Sequence, residues 1–110
     1  MYTIILFYQY VDIHDPSEFR EAQLRLCRRY GLTGRFLIAP EGVNATLEGP
    51  TESIKKYVRA FTQDERFWDI DIKTSPGNGQ AFPRLSIKLR DEIVASYLPP
   101  EINPRKDTGT

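Results

Sequence analysis

Between Tyr2 and Arg90 the hydrophobic period of the chain switches from two to 3.6 and back, twice, and few layouts accommodate that order. Tyr2 to Gln9 (YTIILFYQ) is β-branched and aromatic and apolar on both alternating faces, as a central strand reads when both sides are partly covered. Asp15-Pro16-Ser17-Glu18 then opens a helix. Asp15 caps, Pro16 suits the first helical position, and Glu18 stands three residues past the cap. Phe19, Ala22, Leu26, Cys27 and Tyr30 form its apolar stripe, Arg20, Glu21, Arg25, Arg28 and Arg29 lie away from it, and Gly31 stops it.

Thr33 to Pro40 reads as a second strand. Glu41-Gly42 turns the chain into a third, in which Val43, Ala45 and Leu47 alternate with Asn44, Thr46 and Glu48. So short a turn predicts an antiparallel hairpin. Gly49-Pro50-Thr51 breaks it, with Thr51 as the cap of a second helix whose apolar positions are Ile54, Tyr57, Val58 and Phe61. Ile70 and Ile72, alternating with Asp69, Asp71 and Lys73, predict a fourth strand. Pro76-Gly77-Asn78-Gly79 predicts a loop, and Leu85, Ile87 and Leu89 alternate with Arg84, Ser86, Lys88 and Arg90 in a fifth strand. From Pro99 to Thr110 periodicity gives way to linker composition, so the expected domain is residues 1–98, with 99–110 a linker toward an absent domain.

The order β-α-β-β-α-β-β predicts an α+β fold, a split β-α-β sandwich: one antiparallel sheet of four to five strands with both helices on one face. The first and third strands belong side by side at its centre. The first strand is apolar on both sides, so either Ile5 and Phe7 or Leu6 and Tyr8 face away from the helices. That stripe calls for a lid, supplied by another domain, a partner, or the Gly77–Phe82 loop folding back.

What the chain lacks narrows its chemistry. The 110 residues make one domain, and no window approaches 18 apolar residues in a row, so no membrane span is expected. No secretory signal is visible after Met1, and the expected setting is cytoplasmic. One cysteine excludes an internal disulfide and a Cys-based metal cluster. Cys27 lies mid-helix on the core stripe, where a thiol behaves as a small hydrophobe and not a nucleophile. His14, the one histidine, sits in a loop beside Asp12 and Asp15, too few ligands for a metal, and no catalytic triad can be assembled. Gly77-Asn78-Gly79 reads as a plain turn, with a phosphate nest as the weaker alternative.

Charge balances at 15 basic and 15 acidic residues, so nucleic-acid binding would have to come from a local patch. One is present in the pattern. Arg84, Lys88 and Arg90 share a strand face at period two, Lys73 projects similarly from the preceding strand, and Arg35 starts the second. With Tyr8 and Phe82 nearby for stacking, this set suits RNA. A solvated or charge-protected sheet edge is the competing reading.

The segment Gly34-Arg35-Phe36-Leu37-Ile38-Ala39-Pro40-Glu41-Gly42-Val43-Asn44-Ala45-Thr46-Leu47 resembles the rhodanese-domain-containing tRNA uridine hydroxylases. Lys73 to Ser75, Ala81-Phe82, Leu85 to Lys88, Glu92-Ile93-Val94, Asn103-Pro104 and Thr108-Gly109 extend the resemblance along the whole chain. It implies a ferredoxin-like, acylphosphatase-like N-terminal domain of an enzyme that uses molecular oxygen to convert the wobble uridine of certain tRNAs to 5-hydroxyuridine. The family's catalytic cysteine belongs to the rhodanese domain, whose approach the Asn103–Thr110 tail resembles. The chain itself is then expected to carry no catalytic residue, metal or cofactor and to lack hydroxylase activity. Its expected partners are tRNA and the C-terminal rhodanese domain of the same chain.

The expected contacts are Arg35, Lys73, Arg84, Lys88 and Arg90 to RNA, with Asn44 reaching a base or ribose. One alternative is a non-catalytic docking domain without RNA contact. Another is acylphosphatase activity, for which the loop Tyr10-Val11-Asp12-Ile13-His14-Asp15 is ill suited. It has neither Gly nor Arg, and its carboxylates repel an acyl phosphate. A shared fold does not carry activity with it.

Overall fold

The computed structural model describes residues 1–92. Strand β1 (Tyr2–Tyr10) sends Ile5 and Phe7 into the core and Leu6 and Tyr8 to the opposite face, where both are half-buried. Helix α1 (Pro16–Arg29) starts where the Asp15 carboxylate accepts the Glu18 N–H at 3.2 Å. It stops before Gly31, whose φ of +68° suits a residue without Cβ. Phe19 and Cys27 are buried as the stripe requires. Gln23 joins them, its side-chain oxygen accepting the Tyr57 hydroxyl at 2.9 Å.

Strands β2 (Thr33–Ala39) and β3 (Gly42–Pro50) form the predicted antiparallel hairpin, and β3 also pairs antiparallel with β1. Helix α2 (Thr51–Phe61) buries Ile54, Tyr57 and Phe61. A 3₁₀ turn (Glu65–Phe67), β4 (Lys73–Gly77) and β5 (Leu85–Leu89) follow, giving a five-stranded sheet in the order β4-β1-β3-β2-β5. Core positions on the strands are Ile5, Phe7, Phe36, Ile38, Val43, Ala45, Leu47 and Ile87. All lie on one side of the sheet, together with Phe19, Cys27, Ile54, Tyr57 and Phe61 of the helices, so both helices cover that side. Aromatic rings fill the centre: Phe61 stacks on Phe67 at 4.5 Å, and Phe7 meets Phe36 edge-on at 5.6 Å. Each such pair adds about 1 kcal/mol to simple burial.

The structure departs from expectation in three places. The fourth strand is Lys73–Gly77, so Ile70 and Ile72 precede it as half-buried contacts of the core while Pro76 and Gly77 fall inside it. An edge strand tolerates this proline because its outer N–H needs no ladder partner. Thr51 does not cap α2. Its N–H donates to the Met1 carbonyl at 3.0 Å and its hydroxyl pairs with that of Thr3 at 2.8 Å, which extends the β1–β3 seam.

The sheet is also mixed, because β5 runs parallel to β2. With β4 descending at one edge, the chain crosses the end of the sheet and must ascend at the far edge, in the direction of β2. The expected boundary between residues 98 and 99 lies outside the described residues, as do Ile93-Val94, Asn103-Pro104 and Thr108-Gly109.

Candidate nucleic-acid interface

Among the described residues no helix lies on the sheet face opposite the core, and pairing register decides which side chains share it. One row reads Lys73, Leu6, Thr46, Arg35 and Ser86 across β4, β1, β3, β2 and β5. The next reads Tyr8, Asn44, Leu37 and Lys88. Arg84 and Arg90 flank β5 with the same parity as Ser86 and Lys88 and are tied to β2 through Gly34 N–H to Arg84 O (3.1 Å) and Arg90 N–H to Ile38 O (2.8 Å). All six sequence-predicted residues therefore fall on one face.

They do not contribute alike. Arg35, Arg84, Lys88 and Arg90 are exposed and make no ion pair among the described residues. From Arg84 to Arg90 they form a rail about 20 Å long at strand rise, with Arg35 one strand inward. Exposed Asp91 and Glu92 follow immediately. Lys73 stands three strands from Arg35, about 14 Å away, and its ammonium is 3.1 Å from Asp71. Asn44 is fully buried and offers no surface to a ligand. Phe82 is half-buried in the loop between β4 and β5.

That loop is pinned against the end of the face that carries Ile4 and Glu48. Its anchor is Glu48, which is 1% exposed. Glu48 Oε2 accepts the N–H groups of Asn78 and Gly79, each at 2.9 Å, and Oε1 accepts that of Ala81 at 3.0 Å. The amides that a phosphate nest would offer are thus occupied by the protein's own carboxylate. Close approach explains the glycines: a Cβ on Gly77 would strike the Glu48 carboxylate, and one on Gly79, where φ is +83°, would meet the Tyr2 ring.

Sequence reasoning missed both Glu48, whose donors lie some thirty residues away, and Tyr10. The signal for Tyr10 was present in its spacing of two from Tyr8. The rings meet edge to face at 5.5 Å and the Tyr8 hydroxyl donates to that of Tyr10 at 3.0 Å.

Other candidate chemistry is closed off. Cys27 is buried, which pushes its thiol up to about 12 against a lesser opposing effect of the Tyr57 hydroxyl. Tyr57 is raised well above the usual phenol range, first by burial and then by the neighbouring Cys27. Asp64 is lowered, chiefly by its hydrogen bonds from the Arg66 side chain. In the β1–α1 loop the Val11 and Ile13 N–H groups bond the Glu41 and Pro40 carbonyls at 2.9 Å, so these amides are not available to hold a phosphate. No helix among the described residues is long and apolar enough to cross a membrane.

These features define an acylphosphatase-like fold in which the Val11 and Ile13 amides of the β1–α1 loop are bonded to the chain's own backbone. Solved structures share the fold. The Bacillus subtilis acylphosphatase superposes with a TM-score of 0.60 at 19% identity, over 80% of this chain and 99% of that one. The BLUF protein BlrB gives 0.69 at 23%, over 98% and 86%.

The chain belongs to the family of the UPF0176 acylphosphatase like domain, matched over residues 2–93. Curated relatives are named tRNA uridine(34) hydroxylase. The protein of Aster yellows witches'-broom phytoplasma (strain AYWB) is 44% identical over 98% of this chain and 35% of its own length. That of Arthrobacter sp. (strain FB24) is 46% identical over 90% and 33%. The chain therefore spans about a third of the length of these relatives.

Proposed function

We propose that the chain is the N-terminal domain of an oxygen-dependent hydroxylase that forms 5-hydroxyuridine at the wobble position of tRNA in the cytoplasm, and that its own part is to hold the tRNA. The observation that carries this is the exposed set Arg35, Arg84, Lys88 and Arg90, gathered on one sheet face without acidic partners in contact. In a chain of zero net charge such a local rail is what tracks phosphates. Lys73 adds a more distant, half-neutralised contact. Molecular oxygen is the co-substrate of the whole enzyme. The nucleophilic cysteine is assigned to the rhodanese domain, a reading that the burial of Cys27 in this chain supports.

A second partner, that rhodanese domain packed on this one, is supported by the threefold greater length of the relatives. The test is tRNA binding by the intact protein as a function of salt. Replacing Arg84, Lys88 and Arg90 together by Gln is expected to weaken binding and to lower the salt slope by about one for each phosphate that is no longer neutralised. Unchanged affinity and slope refute the RNA role.

A further inference from the structure

We propose that Arg20 is a further RNA-binding residue and that the tRNA phosphate backbone passes over the outer rim of β5, between that strand and α1, and not across the sheet; the inference rests on the RNA-binding reading above. Inward of Lys88 and Arg90 the sheet face is closed to a ligand. Leu37 is 9% exposed, Asn44 and Ala39 are fully enclosed, and Gly42 is buried beside them. A phosphate chain that reaches these two exposed cations therefore arrives from the outer side of the sheet, where β5 is the edge strand.

The Arg84 carbonyl and the Arg90 N–H point to β2, so by alternation Leu85, Ile87 and Leu89 turn their backbone groups outward. Arg20 of α1 meets this rim. Its Nε donates to the Ile87 carbonyl at 2.8 Å and its Nη1 to Glu21 Oε2 at 2.8 Å. Nη2 keeps its donors without a partner among the described residues. A guanidinium already fixed against a strand loses little freedom when a phosphate oxygen binds it. Beside it lies an open cleft of about 420 Å³, with Arg20 and Glu21 on the α1 wall, Lys88 and Arg90 on the β5 wall, and Ile87 and Leu89 between them. Ser17 adds a hydroxyl at the helix end, and neither Asp91 nor Glu92 lines the cleft. Three cations against one carboxylate, set on two walls, suit an anion held from both sides. The cations also continue along β5 to Arg84, past the cleft, which suits a chain of phosphates and not a single acidic side chain.

The test is fluorescence anisotropy of a labelled tRNA with the full-length protein across a salt series. Arg20→Gln is expected to weaken binding about fivefold and to lower the salt slope by about one. Glu21→Gln removes the carboxylate that competes for Arg20 and is expected to tighten binding about threefold. Lys56→Gln and Glu52→Gln make the same two charge changes at exposed positions of α2 and are expected to leave binding unaltered. Circular dichroism confirms folding of each variant. If replacing Lys88 and Arg90 weakens binding while Arg20 and Glu21 are indifferent, or the α2 variants act as strongly, the cleft is overturned and the RNA reading stands. If tRNA binding ignores all of these cations while a labelled oligoglutamate binds and is weakened by Arg20→Gln, the occupant is an acidic protein segment and both readings fall.

Discussion

Replacing Glu48 by Gln isolates the contact that holds the β4–β5 loop on the sheet. The carboxylate presents two acceptor oxygens to three N–H donors, from Asn78, Gly79 and Ala81. An amide of the same size presents one acceptor. With its oxygen toward Asn78 and Gly79, its NH₂ group confronts the Ala81 N–H, donor against donor. Bonds to a charged acceptor contribute about 1.5–3 kcal/mol each and neutral ones about 1 kcal/mol, so two weakened bonds and the absence of the third sum to about 4 kcal/mol. Relief of the desolvation cost of a buried carboxylate, on the order of several kcal/mol, opposes this, and the two donors left facing each other at Ala81 add back about 1–3 kcal/mol. The net expected loss is about 2 kcal/mol, or about 10 °C in Tm for a domain of this size. Urea unfolding followed by circular dichroism measures the loss. Hydrogen exchange localises it, with the Ala81 amide losing protection first. A change below about 0.5 kcal/mol with all three amides still protected would refute the reasoning, because the loop would then be held by its turns alone.

Two further outcomes follow from the buried polar knot between the helices. Tyr57→Phe strands the Gln23 side-chain oxygen and is expected to cost about 1–3 kcal/mol in urea unfolding, most of it recovered in the double variant with Gln23→Leu. Cys27 is expected to resist an aromatic disulfide reagent in the folded protein and to react at once in urea. Its thiol ionises near 9.0 when unfolded and near 12 when folded, so its contribution to stability is complete below pH 9 and falls as pH rises from there toward 12. Cys27→Ala should flatten that alkaline limb.

The helices and the central hairpin were legible because their signals are local: Asp15 three residues from Glu18, a 3.6-residue apolar stripe, a short turn at Glu41-Gly42. β4 was not. Lys73-Thr74-Ser75-Pro76-Gly77 has no apolar alternation, and the segment is a strand because β1 offers it an edge. Thr51 misled for a similar reason, its capping chemistry being outcompeted by Thr3 across the sheet. Of the candidate interface, the cations of β5 could be read from period two alone. The pairing of Lys73 with Asp71, the enclosure of Asn44 and the seating of Glu48 depend on burial and on approaches between distant segments that no spacing encodes.

Strands β4 and β5 are consecutive in the chain yet bound the sheet on opposite sides, joined by a strap that runs over β1 and β3 and is buckled to Glu48. The two margins thus form one mechanical circuit. Peeling either outer strand slackens the strap and unseats the buckle, so both borders fray in concert, and a molecule wedged beneath the strap acts on each at once.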